Sequence, residues 1–223
     1  MGTPNRLSYF TEHYMRLPKV TERLSTLFPL SQVVIAIALI SMLPQFGVLF
    51  AVLWIYLSGP FVWRLFALFF RFEFGKTQIG TKQATSVWMI SYNLQLLYSV
   101  LPQLEKLLLL VPELYSAWLR LWGASIGRNV FWTPGVEVVD RPLITIGHQV
   151  VVGQKTYLSA HVIVKRNSKT FLFLRPISIG DTAIIGAFSV LSAGALVGSS
   201  ETIMAGSVCS AKKRRLMTTR GAI

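Results

Sequence analysis

Two hydrophobic patterns divide the chain. From Ile126 onward, apolar side chains recur every six positions: Ile126, Trp132, Val138, then Ile146, Val152 and Leu158. After an interruption the count resumes at Ile179, Ile185, Leu191, Val197 and Ile203. Small or β-branched residues follow four places later, at Val130, Val136, Val150, Thr156, Val162, Ala183, Ser189, Ala195 and Ser207. A fixed six-residue period predicts a parallel β-helix, three short strands per triangular coil of about 18 residues. The apolar side chain points into a narrow interior and the small residue leaves room at the corner. Glycine, frequent just after the apolar position, is expected to permit the tight bend. Glu201 stands where a small residue belongs, so the last coil is expected to be open or capped differently.

The second pattern is an absence of polarity. Between Arg23 and Arg64 lie 40 consecutive uncharged positions. Two apolar runs, "VVIAIALISML" (33–43) and "VLFAVLWIYLS" (48–58), are separated by a break at Pro44 and Gly47. Each run alone, at about twelve helical residues, reaches about 18 Å against about 30 Å of hydrocarbon. Two short crossings or a hairpin entering and leaving by one face both satisfy this. A buried helical pair within a larger soluble complex is a third reading. Arg6, Arg16, Lys19 and Arg23 precede the block and Arg64, Arg71, Lys76 and Lys82 follow it, which predicts both ends on the cytoplasmic side. Residues 84–122, rich in Trp, Tyr and Leu, read as amphipathic helices, either in the headgroup plane or as a neck packed on the next domain.

Composition sharpens this. The chain has 223 residues, 52% apolar and 14% charged, enough for one ordinary domain plus a second segment. A net charge of +13 predicts an anionic partner: lipid headgroups, a phosphorylated cofactor or nucleic acid. No nucleic-acid motif accompanies the basic residues, so nucleic acid is not expected. A single cysteine, Cys209, excludes an intramolecular disulfide and a thiolate zinc cage. No signal peptide is expected at the N-terminus. The reading is an α+β chain: an amphipathic segment (1–31), a membrane-embedded hairpin or two short transmembrane helices (32–72), amphipathic or interfacial helices (73–122), a β-helix (123–210) interrupted by a loop (164–178), and a basic tail (211–223).

Three stretches, "LRLWGASIG", "VEVVDRPLITIG" and "RPISIGDTAIIGAFSVLSAGALVG", resemble segments of the hexapeptide-repeat acyltransferases, the galactoside, maltose, xenobiotic and exopolysaccharide acetyltransferases. The resemblance covers residues 117–213 and leaves the N-terminal part uncovered. It implies a left-handed β-helix and a homotrimer with active sites between subunits. It implies an acyl thioester, acyl-CoA or acyl carrier protein, as co-substrate, with no permanently bound cofactor. It implies that His161, beside the outward loop, is the general base, suited by an unperturbed imidazole pKa of about 6.5. It gives the backbone N–H of Ala187 to the oxyanion and Asp140 to orienting the acceptor. The amides of Ala205 and Gly206 would line the pantetheine slit. The tryptophan usual before the "IG" of "DTAIIG" is Ile184 here, implying a more apolar pocket, and the spacing from Gly147 to His161 is shorter than in the soluble members.

On the residues alone, His161 also fits a corner beside a solvated loop carrying Lys165, Arg166, Lys169 and Arg175, and Asp140 also fits a turn before Pro142. His148 occupies a surface turn. Two histidines in the repeat are too few for a three-histidine zinc site, so no metal is expected. Lys212 and Lys213 suit the phosphates of the donor, anionic lipid, or a frayed tail. The expected function is a membrane-associated acyltransferase moving an acyl group to a hydroxyl or amine of a lipidic, saccharide or other small acceptor. The expected location is a bacterial inner membrane with the catalytic domain cytoplasmic. The alternative is a non-catalytic, membrane-anchored β-helical scaffold. A nucleotidyltransferase or dehydratase remnant is disfavoured by the lack of a Rossmann or phosphate-loop glycine motif.

Overall fold

The computed structural model describes residues 19–79, 86–211 and 214–216. The first 18 residues of the 1–31 segment, and the candidate donor-binding Lys212 and Lys213, lie outside the described residues.

Two helices, α1 (Lys19–Met42) and α2 (Gly47–Ala67), form a hairpin that turns where Pro44 and Gly47 predict a break. A Cβ on Gly47 would stand 2.4 Å from the Leu39 carbonyl oxygen, so only glycine lets the arms approach this closely. The arms, 24 and 21 residues long, outrun the apolar stretches. The reason is tertiary: Gln32 Nε2 donates to Ser58 Oγ across the pair (2.9 Å), and the helical turns beyond that level pack on the next segment. By length and composition both arms are long and apolar enough to cross a membrane.

Helices α3 (Ser86–Val100), α4 (Gln103–Leu108) and α5 (Leu114–Trp122) make a neck between the hairpin and the repeat. In α5, Tyr115, Trp118, Leu119 and Trp122 recur at helical spacing and are all buried, and Gly123, at φ 106°, ends the helix. Trp88, Leu94 and Tyr98 of α3 join them in a core continuous with the repeat interior. A short strand between hairpin and neck, β1 (Gly75–Gln78), is an element the amphipathic reading of 73–122 does not contain.

The repeat is a parallel β-helix of four coils among the described residues. The first holds β2 (Ser125–Ile126), β3 (Phe131–Trp132) and β4 (Glu137–Val138), and the second β5 (Ile144–Ile146), β6 (Val151–Val152) and β7 (Tyr157–Leu158). A hairpin of β8 (His161–Arg166) and β9 (Lys169–Leu174) intervenes. The third coil holds β10 (Ile177–Ile179), β11 (Ile184–Ile185) and β12 (Val190–Leu191); the fourth holds β13 (Leu196–Val197), β14 (Thr202–Ile203) and β15 (Ser207–Cys209). Each predicted apolar position stacks in register on the next: Ile126 on Ile146, Ile179 and Val197; Trp132 on Val152, Ile185 and Ile203; Val138 on Leu158, Leu191 and Cys209.

Three expectations are corrected. The glycines after the apolar positions do not supply a left-handed bend. The φ > 0 corner positions are filled largely by other residues, among them Asn129, Gln149, Lys155, Thr182, Phe188 and Ser200. Those glycines instead let one coil rest on the next: a Cβ on Gly186 would meet the Ala205 nitrogen at 2.3 Å. The interruption at 164–178 is not an irregular loop. It is a two-stranded hairpin that starts at His161, turns at Asn167–Ser168 with both φ positive, and pairs β9 with β1 of the same chain. The basic tail also contains a strand, β16 (Arg214–Leu216), antiparallel to β15 on the last edge. Glu201 does cap its corner differently, accepting the Gly198 N–H at 2.7 Å.

Candidate active site

His161 leaves the solenoid at the corner between β7 and the outgoing hairpin. One coil below, at the same corner, the two residues by which the first turn exceeds the 18-residue repeat (Ile126 to Ile146 against Ile179 to Val197) make room for a short 3₁₀ turn, Arg141–Leu143, preceded by Asp140. The two side chains meet there: His161 Nδ1 lies 2.7 Å from Asp140 Oδ2, with side-chain exposures of 16% and 4%. A carboxylate only accepts, so Nδ1 carries a proton, and in the neutral ring that leaves Nε2 as the nitrogen with the lone pair. Ser159 Oγ stands 3.4 Å from Asp140 Oδ2 and 3.1 Å from the His161 carbonyl oxygen, on the Nδ1 side of the ring.

The other carboxylate oxygen is held from the neck. Trp88 Nε1 donates to Asp140 Oδ1 at 3.0 Å. The Trp88 ring lies 4.8 Å from the imidazole, and Tyr92, one helical turn on, meets it edge-on at 6.4 Å. Spacing of four on one helix places both aromatics over the same histidine.

Arg141 fixes the turn from behind. It is 1% exposed and forms a buried ion pair through Nη2 with Glu105 of α4. Gln95 Oε1 accepts both the Arg141 backbone N–H (2.9 Å) and Nη1 (3.1 Å). Tyr98 and Trp118 rings stand 5.3 Å from the guanidinium carbon. Tyr115 donates its hydroxyl to Glu105 Oε2 at 2.7 Å. Burial pushes the Tyr115 phenol well above its ordinary pKa of 10.0, with the Glu105 charge adding to the rise, so it stays a donor. A buried pair of this kind persists only with support from further partners; Gln95 bonds Nη1 and Tyr115 bonds Glu105 Oε2, while Arg141 Nε is buried without a partner among the described residues.

His161, Tyr92, Tyr157, Glu105 and Arg141 line a pocket of about 300 Å³ between the neck and the first coils. Burial raises the Tyr157 phenol pKa, followed by the charges of Asp140 and Glu137. Pro102, Lys106 and Leu109 form the side of the pocket toward α4. Beside them Leu107, Leu110 and Val111 are 56%, 77% and 53% exposed.

The remaining predicted residues lie elsewhere. Ala187 is in the turn between β11 and β12, a different corner of the prism, and Ala205 and Gly206 are one coil above it, with Gly206 N–H donating to the Ala187 carbonyl (2.8 Å). The Ala187 N–H has no backbone acceptor among the described residues. One chain therefore gathers the histidine and aspartate at one edge and the three backbone positions at another. His148 is an exposed turn residue whose Nδ1 accepts the Arg128 N–H (3.1 Å). No group of three or more potential metal ligands occurs among the described residues. The residues that sequence reading missed are Trp88, Tyr92, Gln95, Glu105 and Arg141. Their signal, polar and aromatic residues on one face of α3 and α4, is indistinguishable from ordinary helix packing without the fold.

No family model matches the chain. Part of it is similar to galactoside O-acetyltransferase of Escherichia coli (strain K12), at 28% identity over 123 residues, which is 48% of this chain and 60% of that protein. The match thus spans less than two thirds of that relative's length. Solved structures match as well, among them two acetyltransferases. A hexapeptide-repeat-containing acetyltransferase from Vibrio cholerae O1 biovar eltor, complexed with acetyl coenzyme A, matches over 57% of this chain and 89% of its own (17% identity, TM-score 0.38). A maltose O-acetyltransferase from Clostridium difficile 630 matches over 54% and 84% (13% identity, TM-score 0.31).

Proposed function

We propose, from the relationship of the repeat region to the hexapeptide-repeat acyltransferases, that this protein is a membrane-associated acyltransferase with a left-handed β-helix. It moves an acyl group from a thioester, acyl-CoA or acyl carrier protein, to a hydroxyl or amine. The observation that carries the reading is the Asp140–His161 pair, whose histidine lines a pocket where the solenoid opens while the aspartate is buried behind it.

The chemistry follows from the geometry. His161 Nε2 takes the proton of the acceptor hydroxyl as its oxygen attacks the thioester carbonyl. Asp140 holds the tautomer and stabilises the imidazolium. The tetrahedral oxyanion collapses and expels the thiolate, which recovers the proton from the imidazolium, leaving an ester and a free thiol. A positioned base of this kind contributes about 10² to 10⁴ in rate. The oxyanion donor, worth about 3 to 4 kcal/mol, is assigned to the Ala187 N–H. It stands at another corner of the same chain, so the complete site needs the Ala187 edge of a second subunit against the His161 edge of the first. The resemblance to the family makes that assembly a homotrimer, with Ala205 and Gly206 lining the donor slit and Lys212 and Lys213 meeting its phosphates. Asp140 acts on His161 in this reading rather than on the acceptor. The exposed leucines beside α4 favour an acceptor with an apolar portion. The hairpin, charge-free over 40 positions, fits an inner membrane with the repeat on the cytoplasmic side.

The test is thiol release from acetyl-CoA in the presence of a membrane lipid extract and a saccharide pool. His161→Ala is expected to lower turnover by about 10² to 10⁴, with His148→Ala near wild type. Near-wild-type turnover in His161→Ala, or an equal loss in both, removes the assignment and leaves the scaffold alternative.

A further inference from the structure

We infer that the α1–α2 hairpin is embedded in one leaflet of the bilayer and does not cross it. This rests on the membrane association proposed above and adds the depth and the side.

The burial pattern changes abruptly along the hairpin. At and below the level of Gln32 in α1 and Ile55 in α2, one face of each arm is covered. Asn93 of α3 donates to Ser25 Oγ at 2.9 Å, Tyr56 hydroxyl donates to the Leu104 carbonyl at 2.7 Å, and Trp118 Nε1 donates to the Tyr56 carbonyl at 3.0 Å. Gly59 sits so close to Trp122 that a Cβ would be 2.7 Å from the ring. Above that level nothing covers the arms. Only the small residues of the seam between them, Ala36, Gly47 and Ala51, are buried. Val34, Ile37, Met42, Val48 and Val52 are 56%, 60%, 78%, 65% and 47% exposed. A surface this apolar on all sides is solvated by lipid, not water.

Its length sets the depth. From Gln32 to the turn the first arm has about 11 free residues, roughly 16 Å at 1.5 Å per residue. From the turn back to Ile55 the second has about 8, roughly 12 Å. Half of a hydrocarbon core of about 30 Å is about 15 Å, so the free tip fills one leaflet. Pushing it further would drag in the neck, whose Glu105, Glu113 and Arg120 sit on helices tied to α2, and charge in hydrocarbon is costly. At the base, the outward residues Leu24, Leu27 and Leu65 are apolar too, which sets the pair low among the headgroups. Exposed Arg23 and Arg71 flank it, matching an anionic lipid surface in sign.

The experiment uses full-length protein in sealed membranes and a membrane-impermeant maleimide. Gln45→Cys reports the turn, and Asn167→Cys, at the exposed turn of the β8–β9 hairpin, marks the side of the repeat. Cys209, 1% exposed, gives the background in the unsubstituted chain. The expected result is retention through carbonate extraction, labelling of Asn167→Cys from one side, and no labelling of Gln45→Cys from either side until detergent is added. Labelling of Gln45→Cys from the face opposite Asn167→Cys means the hairpin crosses and overturns the one-leaflet inference, with membrane association intact. Labelling from the same face means the tip is not embedded and also overturns it. Release by carbonate removes both readings.

Discussion

The four coils and the neck are built on opposite kinds of information. In the coils, a side chain's place follows from its position in a count of six, and its partner is the equivalent residue one coil away, as Ile146 is for Ile179. In the neck, the decisive contacts join residues far apart in sequence by chemistry that no period encodes: Trp88 to Asp140, Gln95 to Arg141, Glu105 to Arg141, separated by 52, 46 and 36 positions. The coils are apolar inside and interchangeable in kind, whereas the neck is specific and buries charge. The candidate site lies where the two meet, since a repeat supplies a rigid corner and only the neck supplies distinct polar partners.

The sharpest break of that contrast is at Arg141. If the neck depends on a paired buried charge, Arg141→Met leaves the Glu105 carboxylate buried without its cation and costs about 3 to 5 kcal/mol. The double variant with Glu105→Gln removes both charges and is expected to recover most of the loss. Denaturant unfolding of the detergent-solubilised protein measures both. A loss under about 1 kcal/mol in the single variant would place the pair among weak surface bridges and erase the difference between the regions.

A smaller effect is expected where the coils are challenged on their own terms. Ala183 is fully buried at a corner, so Ala183→Leu overpacks the interior and costs about 1 to 3 kcal/mol. Phe188→Leu, at an exposed corner position, is expected to stay within about 0.5 kcal/mol. Equal effects at the two positions would mean that the six-residue count does not decide what the coil tolerates.

The same contrast explains what could be read from the sequence. The stacked positions from Ile126 to Ile203 were visible because a solenoid writes its core locally, though Ile144, Ile177 and Cys209, also buried in the coils, fall outside that count; the hairpin break was visible because proline and glycine act locally. His161 and Asp140 were visible as candidates, but their pairing was not: it needs the Arg141–Leu143 turn to lift Asp140 to the corner below the histidine. The β8–β9 hairpin was hidden by its basic residues, which read as a solvated loop although Phe171, Leu172, Phe173 and Leu174 carry enough apolar character to pair with β1. Arg141 drew no reading of its own from the sequence, since its burial depends on Gln95, Glu105 and three aromatic rings brought from α3 and α5.

A further effect tests the join itself. Trp88 belongs to the neck, yet its indole N–H ends on the Asp140 carboxylate that orients His161. Trp88→Phe keeps an aromatic ring against the imidazole and removes only that donor. Asp140 is buried, so losing one of its donors leaves Oδ1 unsatisfied and loosens the carboxylate's hold on Nδ1. Turnover is expected to fall roughly ten-fold in kcat, about 1.4 kcal/mol, with the KM for acetyl-CoA unchanged, because the donor is assigned to another edge. A merely structural role would lower stability and raise KM as well. The two-variant cycle separates them: in an Asp140→Asn background the substitution should lose most of its effect on kcat, since the group it acts through is already altered. A full ten-fold loss in that background would show that Trp88 acts on His161 by ring packing alone, and that the neck shapes the pocket without positioning the base.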